Sequence, residues 1–286
     1  MRFLFQIAVT ALAISIAQFV AGAVAITIFS PEAFPPFVQG TMPWQLAANT
    51  IAAVVLAWLA SRARFTGGRL AATLALIYFG IMHFNSLIEA WFFGFVTPRQ
   101  FGALISMTLF MAVLLAAMLT PLLSGQRQAG MRTWSPRLTG IRLAAGSVSY
   151  LVIYFVAGIS IYPFISHFYD LQTTPPGLQV IAMQLLVRGP IFVALAAIVV
   201  LMSKAGRLET ILMTGTALAV IGGVAPLLVP NALMPDSIRW YHFIEVTTSN
   251  FVFGLILGWL FIPGGSRIQD ATEEPYPAGR VEHRPA

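Results

Sequence analysis

Long apolar runs bounded by charge, proline or glycine divide the chain at about residues 3–29, 43–61, 69–95, 100–123, 142–165, 178–203, 208–229 and 237–262. A helix rising ~1.5 Å per residue needs about 20 apolar residues to cross the ~30 Å hydrocarbon core of a bilayer, and each run meets or approaches that length. None alternates apolar and polar positions like a barrel strand, so the backbone polar groups must be satisfied within helices. The pattern predicts an all-α, polytopic transmembrane helix bundle of about eight helices.

Composition sharpens this. Of 286 residues, 58% are hydrophobic and only 9% charged, and the mean hydropathy is +0.83. A soluble domain carries roughly a quarter charged residues. A chain this apolar would expose patches that no soluble monomer tolerates. A soluble enzyme and a nucleic-acid partner are excluded, and the absence of cysteine excludes a disulfide scaffold. The lipid bilayer is the expected partner.

The net charge of +6 is read as a topology signal. Arg62, Arg64 and Arg69 follow the second run; Arg127, Arg132, Arg137 and Arg142 follow the fourth; Lys204 and Arg207 follow the sixth; Arg267, Arg280 and Arg284 follow the eighth. The alternate connections hold only Arg99 and Arg239. The positive-inside rule then places both termini in the cytoplasm, which eight helices satisfy. The expected location is a bacterial cytoplasmic (inner) membrane. Trp44, Trp91 and Trp240 fall at outer helix ends, and Trp58 and Trp259 at inner ones, as an aromatic belt requires. Arg2, the apolar core after it and Ala23-Val24-Ala25 also resemble a signal peptide, but a run of about 27 residues favours a first span.

Short sequences recur at a near-constant offset. Phe19-Val20-Ala21-Gly22 returns as Phe155-Val156-Ala157-Gly158, Gly68-Arg69-Leu70 as Gly206-Arg207-Leu208, and Pro98 as Pro235, at offsets of 136, 138 and 137. This predicts two parallel four-helix repeats, residues 1–124 and 142–263, related by an axis along the membrane normal. A basic cytoplasmic linker is expected at 125–141 and a disordered cytoplasmic tail at 264–286.

Ionisable groups at membrane depth are costly and mark functional candidates. The third run holds His83, Asn85, Ser86 and Glu89; the sixth holds Gln184 and Arg188; the eighth holds His242, Glu245, Ser249 and Asn250. Asn85/Glu89 and Gln184/Arg188 are spaced i, i+4, and His242, Glu245 and Ser249 at i, i+3, i+7, so each helix presents a polar stripe. Arg188 lies about 15 Å from the outer end of its helix. Gly189-Pro190 and, in the seventh run, Gly222-Gly223 with Pro226 predict interrupted helices beside that charge. Gly254 and Gly258 predict close helix packing.

The chain lacks a Walker A loop, GxSxG and HExxH, which argues against an enzyme. The leading expectation is a carrier or channel for a small anionic or protonatable solute, with no cofactor. Its site, in the outer half of the bundle, would comprise Arg188, Gln184, Glu89, Asn85, His242, Glu245 and Asn250. One alternative is a redox protein holding haem or a metal through His83, His242 and Glu245. Another is a scaffold subunit in which Arg188 only neutralises a glutamate, His242 and Glu245 only order a helix start, and His83 is a core histidine.

Overall fold

The computed structural model describes residues 1–36, 38–123, 135–169 and 177–262. Among them, eight helices are long and apolar enough to cross a membrane: α1 (Phe3–Ile28), α2 (Met42–Ser61), α3 (Gly67–Phe92), α4 (Pro98–Leu119), α5 (Pro136–Phe168), α6 (Gly177–Met202), α7 (Arg207–Leu228) and α8 (Asp236–Phe261). No strand is present among the described residues, so the protein is an all-α integral membrane bundle. The expected tail, and residues 125–134 of the expected linker, lie outside the described residues. Residues 136–141 of that linker are helical, because α5 already begins at Pro136, where the missing proline N–H would have had no partner anyway. A capping box sets the start of α4, with Thr97 Oγ1 accepting from Gln100 N and Gln100 Oε1 accepting from Thr97 N.

The helices pack as two similar groups. In one, α1 lies against α2 and α4, and α3 against α4; in the other, α5 lies against α6 and α8, and α7 against α8. The groups meet through α2, α3, α6 and α7, with α2 on α7 and α3 on α6. The outer helices turn apolar stripes away from the protein, such as Val148, Val152, Val156 and Ile159 on α5. Such a stripe suits lipid.

At the end carrying Arg62, Arg64, Lys204 and Arg207, here the basic end, the α2–α3 and α6–α7 connections pair directly. Ala63 and Ser203 form an antiparallel bridge. Arg64 N donates to Met202 O at 2.6 Å and Lys204 N to Arg62 O at 2.8 Å. Adding 140 to the residue numbers of one bond's donor, and subtracting 140 from those of its acceptor, gives the other bond. An ion pair of Arg62 with Glu209, at 2.7 Å, lies beside them.

Three spans are widened by a turn of π-helix: Phe79–Phe84 in α3, Gln184–Arg188 in α6 and Val220–Val224 in α7. The N–H groups of Asn85, Gly189 and Ala225 reach back five residues to Gly80, Gln184 and Val220. The expected interruptions at Pro190 and Pro226 are therefore corrected. Each proline stands two positions after the last residue of a π turn and the helix runs on, the wider turn accommodating the lost backbone donor. The turn in α3 has no proline beside it.

The α7–α8 contact is the closest. A Cβ built on Gly254 would lie 2.6 Å from Gly215 Cα and 2.7 Å from Thr214 O, and one on Gly258 would lie 2.8 Å from Ile211 Cα. In lipid, van der Waals contact between helices takes over from the hydrophobic effect, and small residues permit it. Gly254→Ala should therefore push two backbones apart and cost about 1–3 kcal/mol, read as a lowered thermal midpoint in detergent. Gly102→Ala, where the added Cβ meets nothing within 4 Å, should leave the midpoint unchanged.

Candidate functional site

Arg188 stands at the end of the α6 π turn, buried, with only 7% of its side chain exposed. Its Nε donates to Asn85 Oδ1 at 2.9 Å, and its Nη1 to Glu89 Oε1 at 2.5 Å and Gln184 Oε1 at 3.2 Å. Four expected residues from α3 and α6 thus form one cluster. The π turn fits it together: Gly189 must lack a Cβ, which would sit 2.8 Å from Gln184 O and 3.3 Å from Ser147 Cα of α5. Aromatic rings complete the walls, with the guanidinium carbon 5.8 Å from the Tyr150 ring centre and 5.9 Å from that of Phe192.

The hydrogen bonding has a direction. A guanidinium can only donate, so Asn85 and Gln184 must turn their oxygens toward it. Their amide nitrogens, Asn85 Nδ2 and Gln184 Nε2, are sealed from solvent and bond to no described residue. Arg188 Nη2 likewise donates to no described residue. The sealed, unpaired atoms beside the ion pair are amide donors, and an acceptor-rich oxyanion is the chemistry they match.

Other expected residues fall elsewhere. His242 Nδ1 and Glu245 Oε2 pair within α8 at 3.1 Å. Tyr150 and Tyr154 lie in the electrostatic field of Glu89, Arg188 and Glu245 together, which puts the His242–Glu245 pair at the edge of the same region. Asn250 packs on the α7 π turn, where a Cβ on Gly222 would meet its Nδ2 at 3.2 Å and Ile81 of α3 at 2.9 Å. His83 stacks edge-on against Tyr78 at 5.4 Å. Its Nε2 and the Tyr78 hydroxyl are both buried without a partner among the described residues. The expected ligands His83, His242 and Glu245 do not form one group: no three His, Cys, Asp or Glu side chains among the described residues are placed to hold a metal ion. His83 lies on α3 and the other two on α8, and both helices pack against α7.

Two features escaped the sequence reading. Asn49 of α2, fully buried, accepts from Gln45 Nε2 at 3.0 Å and donates to Ser15 and Gln18 of α1 at 3.1 and 3.0 Å. Gln45 and Asn49 precede Gln184 and Arg188 by 139 positions, and that shared i, i+4 spacing was the available signal. Arg239, counted as a loop charge, is buried and donates to Leu227 O at 2.6 Å and Leu228 O at 3.2 Å, capping the end of α7. No family model, curated protein or solved structure matches this chain.

Arg188→Gln leaves Glu89 without its counter-charge and should destabilise the protein. Adding Glu89→Gln should restore part of the loss, giving a coupling energy of about 1–3 kcal/mol in a double-mutant cycle of detergent unfolding.

Proposed function

We propose that the protein is a carrier or channel for a small anionic solute, bound at Arg188 in the outer half of the bundle. The carrying observation is the set of spare donors: Arg188 Nη2, Asn85 Nδ2 and Gln184 Nε2 have no partner among the described residues once the ion pair is made. A buried donor left unpaired costs about 1–3 kcal/mol, and an oxyanion would recover that cost at two sealed amides together. A group that only fixed helix register would need no such surplus of donors.

Two further readings belong with this one. The halves are repeats related by a pseudo-twofold axis, which the reciprocal bonds at 62–64 and 202–204 support. The basic end is cytoplasmic by the positive-inside rule, so the Glu89 end of α3 faces outward. There the α1–α2 and α7–α8 connections frame a cavity of about 770 Å³ lined by Glu32, Pro35, Gln45 and Asn231.

The test uses chloride, nitrate, formate and lactate with the purified protein in detergent. At least one should raise the thermal stability of wild type relative to the Arg188→Gln/Glu89→Gln double variant, a comparison that removes general salt effects. An anion at 100 times its Kd would contribute about 2.7 kcal/mol. The same anion should enter vesicles containing wild-type protein and not those containing the double variant. Equal behaviour of the two proteins toward all four anions refutes the proposal.

A further inference from the structure

Resting on the reading of Arg188 as an anion site, we propose that each anion binds there together with one proton, which Glu89 takes up. The geometry carries the argument through charge. Before binding, the guanidinium and the Glu89 carboxylate are a neutral pair. A monovalent anion placed on the free donors would leave one net negative charge at membrane depth, beside a carboxylate that repels it. A proton on Glu89 removes both difficulties, because the site then holds a cation, an anion and a neutral acid.

Glu89 is placed for this role and Glu245 is not. Glu89 touches Arg188 through Oε1, while Oε2 bonds to no described residue. One third of its side chain is exposed, against 7% for Arg188, so Glu89 can be reached without displacing the guanidinium. Glu245 is committed to His242 at 3.1 Å and makes no bond to Arg188, Asn85 or Gln184. Among the described residues, the charged or titratable groups facing Glu89 are Arg188 from α6 and Tyr150 and Tyr154 from α5, with the His242–Glu245 pair of α8 beyond the tyrosines.

The step balances without any redox partner. A proton from water adds to a Glu89 carboxylate oxygen, the Arg188 Nη1–Glu89 ion pair gives way, and Nη1 joins Nη2 and the two amides in donating to the anion. One cation and one anion enter, so the event moves no net charge. By linkage, each ligand raises the affinity of the other by the same factor.

Nitrate is the probe, because it is fully ionised and brings no proton of its own. Wild-type protein is reconstituted in vesicles that trap a pH-sensitive dye, with potassium and valinomycin holding the voltage at zero. Each nitrate entering should bring one proton, and an outside pH one unit below the inside should accumulate nitrate about tenfold. In Glu89→Gln the acidification should vanish, and any nitrate movement should carry current. Nitrate entry with no acidification in wild type overturns the coupling while leaving the anion site standing. Loss of acidification in Glu245→Gln but not in Glu89→Gln also overturns it, by moving the proton to α8. Nitrate that neither enters nor stabilises the protein, when another anion of the panel does both, overturns the coupling as stated for a simple oxyanion; failure of all four overturns the anion site with it. Should Glu89→Gln not fold, the wild-type ratio of protons to nitrate decides alone.

Discussion

A guanidinium held inside an apolar bundle has to find its acceptors in the protein, and that requirement organises the centre of this structure. Arg188 has five N–H groups and no acceptor, so every oxygen it engages is fixed in orientation and every helix carrying one is fixed in rotation. Asn85 and Glu89 tie α3 to α6, and Gln184, one π turn earlier on the same helix, closes the third contact. Regular α-geometry would rotate Gln184 and Arg188 differently about the helix axis. The π turn, the absent side chain at Gly189 and the proline at 190 are one device, a local widening that aims a charge between helices.

The positions 139 residues earlier show what the same frame does without a charge. Gln45 and Asn49 repeat the i, i+4 hydrogen bond, but the neighbouring helix there supplies Ser15 and Gln18, which take both donors of the Asn49 amide. At the Arg188 end, the neighbouring helix presents Tyr150 and Tyr154; Tyr154 follows Gln18 by 136 positions, as Phe155 follows Phe19. Aromatic rings stack beside the guanidinium but accept little from it, so the counter-charge comes from α3 across the bundle. One cluster is closed and neutral. The other is built on an ion pair and keeps donors to spare.

Much of this was legible in the chain, and the reason is the bilayer. A medium that forbids unpaired backbone groups and exposed charge leaves long apolar runs and rare polar residues, so both the eight spans and the Arg188, Gln184, Asn85, Glu89 cluster could be read from spacing. Helix rotation was less accessible. His83 lies on α3 and His242 on α8, and their spacing carried no sign that both helices pack against α7, with Gly215, Gly254 and Gly258 letting α7 and α8 approach more closely than side chains of ordinary size allow. The π turns left partial traces in Pro190 and Pro226 and little trace in α3, where Gly80 lies against Leu195 of α6. Arg239 read as a topology charge because a helix end in need of a cap has no fixed sequence signature.

The two links between the halves differ in kind, and the difference bears on function. At the basic end the halves are joined by paired backbone hydrogen bonds, which a dissolved ion cannot replace, with the more exposed Arg62–Glu209 ion pair beside them. Toward the opposite end they are joined by the Arg188–Glu89 ion pair, whose acceptor is a carboxylate that an anion can imitate. On the proposed reading, an anion bound at this site would compete for a bond that also holds α3 to α6. Binding and the loosening of that contact draw on the same donors, so occupancy of the site and the packing of the two halves cannot be independent.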